Sequence, residues 1–251
     1  MRYCNRRDQR KSLVRATTVP ALFIVAAAAT GAEPIVHGEL VRTPTTVGDS
    51  TAQPVLRLTI LNHDTAKFTP ARFSLTVDGR PYFPEALSTH GLRFKSIHEA
   101  KKQVYVVLYS RGTGPVDVSL PADAKRLGIA VAKGFEFLPV SQEHKVRGED
   151  ISADISLQRW TNQSAKGWSA SDAHLHYDRH TPAGDKDWLT MLAGDGLAQA
   201  HFMVLKGGKV PGIWARQYKY GTDGEASDGK RLIRSGEEYR DSAQGHINLL
   251  G

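Results

Sequence analysis

Gly167-Trp168-Ser169-Ala170-Ser171-Asp172-Ala173-His174-Leu175-His176-Tyr177 places Asp-x-His-x-His on a segment that reads as a strand from residue 172 to residue 177. Side chains two apart in an extended chain share a face, so Asp172, His174 and His176 form one row. Two imidazoles converging from such a row suit zinc, iron and similar divalent ions, and the carboxylate either joins them or orients one of them. The segment also decides how the rest of the chain is organised. Residues 185–196 follow it as a helix with an apolar stripe of Trp188, Leu189, Met191 and Leu192, and residues 198–205 return as a strand. Strand, helix, strand is the βαβ unit of a parallel sheet or barrel.

Upstream, residues 33–158 read as β. Val55-Leu56-Arg57-Leu58-Thr59-Ile60-Leu61 is apolar and β-branched, and Phe73-Ser74-Leu75-Thr76-Val77 alternates before an Asp78-Gly79 turn into Pro81-Tyr82-Phe83. Val104-Tyr105-Val106-Val107-Leu108-Tyr109, Val116-Asp117-Val118-Ser119-Leu120, residues 127–131 and residues 151–157 add further short strands separated by turn signals. This spacing predicts an antiparallel β-sandwich. The fold expectation is therefore β plus α/β: a sandwich over 33–158, followed over 159–251 by the first part of a β/α barrel. A complete barrel takes roughly 200 residues or more. The expectation is thus of a partial barrel, completed by a missing segment or a partner chain.

Net charge is +7, but Arg2, Arg6, Arg7, Arg10, Lys11 and Arg15 against Asp8 place +5 of it before residue 33, leaving about +2 for the remainder. So small a remainder gives little drive towards nucleic acid. The basic start, an apolar run over 19–29 and the small residues Thr30, Gly31 and Ala32 have the layout of a secretory signal peptide, with cleavage near Ala32. A secreted or periplasmic protein without an integral membrane span in its mature chain is the expectation. Cys4, the single cysteine, lies in the segment to be removed, so any metal falls to His, Asp and Glu. No Gly-x-Ser-x-Gly elbow supplies a serine nucleophile, and Gly207-Gly208 lacks the flanks of a phosphate loop.

Residues 167–177, Thr181-Pro182-Ala183, Lys186-Asp187, Ser235-Gly236-Glu237-Glu238-Tyr239-Arg240-Asp241 and Gly245-His246-Ile247-Asn248-Leu249-Leu250-Gly251 together resemble the CehA/McbA-type metallohydrolases. These are a branch of the PHP (polymerase and histidinol phosphatase) superfamily. A weaker resemblance extends into the sandwich at Arg111-Gly112-Thr113-Gly114-Pro115 and Gly134-Phe135-Glu136-Phe137-Leu138-Pro139. The resemblance implies a distorted β/α barrel with metal at its strand ends. It implies His174 and His176 as paired ligands, Glu238 as the Gly-x-Glu carboxylate that often bridges two metals, and His246 as a further ligand. Glu237 is the alternative to Glu238, and Asp172 is either a ligand or a group that orients one. Residues 200–207 lack the Thr-Asp-His triplet that many PHP proteins carry on the second strand, and His201 is misplaced for that role.

The functional expectation is hydrolysis of an ester, amide, carbamate or phosphoester bond in a small-molecule substrate. One or two divalent ions (zinc, manganese or iron) would act through a metal-bound water. The alternative is a non-catalytic binding or interaction module carrying a vestigial, truncated barrel.

Overall fold

Period-two alternation builds most of this molecule. In the computed structural model, which describes residues 36–41, 53–98, 103–207, 213–243 and 245–250, the first part of the chain forms ten strands. They are β1 (Val36–Val41), β2 (Val55–Asn62), β3 (Pro70–Val77), β4 (Arg80–Tyr82), β5 (Gly91–His98), β6 (Gln103–Arg111), β7 (Val116–Ser119), β8 (Arg126–Ala132), β9 (Val140–Lys145) and β10 (Ile151–Leu157). The expected leader, residues 1–32 with Cys4, lies outside the described residues.

The strands form two sheets. One runs β1-β5-β6-β3-β8-β9, with β4 paired to β3; the other runs β10-β2-β7. Leu56, Leu58 and Ile60 of β2 and Ala153, Ile155 and Leu157 of β10 face Ala71, Phe73, Leu75, Leu127, Ile129 and Val131 of the larger sheet in one buried core. The Asp78-Gly79 turn forms as expected, with both residues at positive φ (51° and 80°), which suits the twist of a tight hairpin. Three strands were not read from sequence, β1, β5 and β9. Pairing also departs from the all-antiparallel expectation, because β10 runs parallel to β2. That pairing joins residues nearly a hundred apart, and local turn signals say nothing about it.

The second part contributes β11 (Ser171–Leu175), the helix α1 (Pro182–Gly194), β12 (Gln199–Gly207), β13 (Ala226–Ser227), β14 (Leu232–Asp241) and β15 (Gly245–Leu249). β11, β12 and β14 are parallel neighbours in that order, while β13 and β15 pair antiparallel with β14. The strand-helix-strand expectation is met. The helix starts three residues earlier than read, at Pro182, whose fixed φ suits a first helical position.

α1 also ties the two parts together. Trp188 packs on Phe94 of β5 (ring centroids 5.3 Å apart) and on Phe202 of β12 (5.0 Å), within a cluster completed by Leu189, Leu192, Ala200 and Ile233. Arg111 of β6 pairs with the buried Asp187, Tyr109 donates to Asp195 Oδ2 at 2.7 Å, and Lys133 Nζ donates to the Ala193 carbonyl at 2.6 Å. The backbones of Gly134 and Gly196 approach so closely that a Cβ on Gly134 would lie 2.8 Å from the Gly196 Cα. Both sit at positive φ, so glycine is needed there twice over. Residues 34–251 accordingly form one compact unit.

Candidate metal centre

The face of the parallel sheet away from α1 carries the candidate site. Leu175 lies with the helix-side cluster beside Phe202, so the alternation of β11 turns His174 and His176 to the other face. On β14, Ile233 belongs to the helix side and Glu238 to the site side, level with Leu205 of β12. His174 is the fourth residue of β11, His176 lies just beyond its end, and Glu238 is in the second half of β14. The three therefore gather at the carboxyl ends of parallel strands, where open and closed α/β sheets place their sites.

Their ligand atoms meet. His174 Nε2 lies 2.8 Å from Glu238 Oε2, His176 Nε2 lies 2.7 Å from the same oxygen, and the two Nε2 atoms are 2.8 Å apart. His176 Nδ1 donates to the Met203 carbonyl at 2.8 Å. In a neutral ring that bond fixes the tautomer and leaves Nε2 as a lone pair aimed at the carboxylate. Lone pairs on a nitrogen and a carboxylate oxygen at this separation repel unless a proton or a cation sits among them. Two imidazole nitrogens and a carboxylate oxygen are the donor set that zinc and its neighbours take, so the residues fit a divalent ion.

The electrostatics fit as well. Glu238 has no solvent exposure. Burial opposes its ionisation, yet hydrogen bonds from Arg240 and His174 and the nearby positive charge outweigh that and bring the carboxyl down to about 2. Arg240 Nε holds the other carboxylate oxygen, Oε1, at 2.9 Å. Burial lowers the pKa of His176, against the raising effect of Met203 and Glu238, which favours the neutral, metal-binding ring.

The other expected residues divide. His246 of β15 comes to the cluster, with Nδ1 3.0 Å from Glu238 Oε1, on the far side of the carboxylate from the two other histidines. Glu237 does not: it points to the opposite face, where Lys206 Nζ binds its Oε2 at 2.7 Å, as alternation on β14 requires. Asp172 neither joins the cluster nor touches an imidazole. Its Oδ1 accepts the backbone N–H of His174 at 2.9 Å and so shapes the end of β11. The ring-orienting part expected of an acid is taken for His176 by the Met203 carbonyl. His201 stays apart, with Nε2 2.7 Å from the Gln199 amide nitrogen. Trp188 is core as expected, whereas Trp160 and Trp168 are largely exposed.

Sequence reading missed Arg240 and the backbone carbonyl of Met203. Arg240 carried a usable signal, since on a strand it shares a face with Glu238 two residues before it. A carbonyl group leaves no such trace in the sequence. No protein-family model, curated protein or solved structure matches this chain.

Proposed function

We propose that this protein is a metal-dependent hydrolase of the PHP kind, with its ion held by His174, His176 and Glu238. The convergence of three ligand atoms on one oxygen-centred cluster carries the reading. On this reading the two sheets that share the first core are the β-sandwich, and β11, α1, β12 and β14 are the front part of a β/α barrel. Support comes from the helix lying on one face and the ligands on the other, at the carboxyl ends of the strands.

A bound divalent ion supplies Lewis-acid polarisation of the bond to be cleaved and a water acidic enough to react near neutrality. The chain's own residues prepare that site. Met203 holds the His176 ring in one tautomer, and Asp172 fixes the backbone at His174. Arg240 Nε and His246 hold Oε1 of Glu238, while Oε2 faces the histidine pair and takes a longer contact from Arg240 Nη2 at 3.5 Å. Glu238 stays ionised throughout the physiological range. The substrate is a small ester, amide, carbamate or phosphoester, and export after cleavage near Ala32 completes the reading.

The test is metal content by elemental mass spectrometry on residues 33–251 after dialysis. The wild type is expected to retain at least one equivalent of zinc, manganese or iron. His174→Ala combined with His176→Ala is expected to retain none while keeping its far-ultraviolet circular dichroism. Equal metal in both proteins removes the site assignment. A metal-free wild type favours the non-catalytic binding module instead. If metal is retained, an esterase and phosphatase screen follows.

A further inference from the structure

The two strands that carry the ligands are not neighbours, because β12 lies between β11 and β14. His176 and Glu238 therefore meet across β12 on one face of the sheet, and no backbone hydrogen bond sets their separation directly. On the opposite face the side chain of Arg179 reaches across to β14. Arg179, three residues after His176, is fully buried, and its guanidinium carbon lies 5.5 Å from the ring centroid of Phe202 on β12. It reaches Ser235 of β14, three residues before Glu238, where Nη1 donates to Oγ at 3.1 Å.

We propose that Arg179 is the positioning residue of the metal centre, fixing the segment after His176 against the strand that bears Glu238. This rests on the metal reading above. A buried guanidinium is costly unless its donors are satisfied, and a packed apolar side chain gives equal or better stability in many such places. An apolar side chain lacks the directed bonds that Arg179 makes to three elements at once. Nε and Nη2 grip both oxygens of Asp185 in the first turn of α1, at 2.9 and 3.0 Å. Nη2 also donates to the Gly224 carbonyl at 2.9 Å. Tyr218 closes the array, its hydroxyl donating to Asp185 Oδ2 at 2.7 Å. The planar fork of arginine meets this geometry, and the point charge of lysine does not.

Ser235→Ala and Arg179→Lys test the assignment, with zinc alone as the probe. Zinc affinity is read by competition with a chromophoric chelator, and thermal unfolding is read separately in excess chelator. Groups that orient ligands typically alter metal affinity 10–100-fold. Ser235→Ala removes the hydrogen bond from Arg179 and the one that Ser235 Oγ donates to the Lys219 carbonyl at 2.9 Å, but leaves the Arg179–Asp185 pair, so it is expected to weaken zinc binding about tenfold with a smaller change in metal-free unfolding than Arg179→Lys. Arg179→Lys is expected to weaken it further. Ile129→Val, in the distant first core, serves as a control that loses stability without losing affinity. Wild-type affinity in Ser235→Ala overturns the proposal while leaving the metal site standing. A wild type that binds no zinc overturns both.

Discussion

Gly236 lies two residues before Glu238 on the same face of β14, and a methyl group there would stand 2.5 Å from Met203 Sδ and 2.7 Å from the Leu249 carbonyl oxygen. The sulfur sits on a flexible side chain and can move; the carbonyl belongs to β15 and cannot move without carrying His246 along. Gly236→Ala is therefore expected to cost about 1–3 kcal/mol in thermal unfolding, the usual range for overpacking. It is also expected to weaken zinc retention, and unchanged retention would mean that β15 has no part in holding the site. This gives the glycine of the Gly-x-Glu pattern a physical reason. The candidate cluster was legible because residue type and spacing carry its chemistry: His174 and His176 at period two, then Glu238, with His246 against the other oxygen of that carboxylate. Glu237 and Glu238 stay ambiguous in a sequence until the register of β14 decides which faces the histidines. The role of Asp172 stays open in the sequence for a related reason, since its carboxylate binds the backbone N–H of His174, a partner that no residue type announces.

At the scale of elements, α1 meets the larger sheet over a buried amine. Lys133 Nζ donates to the Ala193 carbonyl near the helix C-terminus and to the Pro70 carbonyl at 2.7 Å. Burial, helped by the charges of Arg231 and Arg159, lowers its pKa from 10.5 to about 8, against the pull of Asp195. Between these two values the unfolded chain binds more protons than the folded one, so stability rises with pH through the window. The whole effect amounts to about 3 kcal/mol, of which about 2 kcal/mol falls between pH 7.5 and 9.5. Tyr109, with its pKa raised well above 10 mainly by burial, opposes the rise only at higher pH. Urea unfolding across pH 7.5–9.5 is expected to show this increase in the wild type and its absence in Lys133→Met. Parallel slopes in the two proteins would rule out the buried amine as the cause. Strands with clear apolar alternation were legible at this scale. β9, with Val140 followed by Ser141-Gln142-Glu143-His144-Lys145, carries no such alternation, and β5 hides its inward Leu92, Phe94 and Ser96 among Arg93, Lys95 and His98.

For the whole molecule, the sequence suggested a boundary near residues 158 and 159, whereas packing joins the regions on either side of it. Phe94 of the larger sheet and Phe202 of the parallel sheet share Trp188, and Arg111 pairs with an Asp187 that solvent barely reaches. The pattern changes at the junction from short strands to strand, helix, strand, but an interface formed by a helix that the sheets on either side need is invisible until the sheets are placed. The consequence is cooperative. If α1 is core to both parts, the protein unfolds in a single transition, and a ligand bound to the folded site stabilises all of it. With zinc at a hundredfold its dissociation constant, stabilisation of about 2.7 kcal/mol is expected. That shift should appear equally in far-ultraviolet circular dichroism, dominated by the strands, and in the fluorescence of buried Trp188 isolated by replacing the other three tryptophans with Phe. Asp187→Ala leaves Arg111 without its carboxylate and is expected to separate the two signals or lower both midpoints together. Two well-resolved transitions in the wild type, with only the second moved by zinc, would mean that the metal region folds independently and that α1 merely rests against the larger sheet.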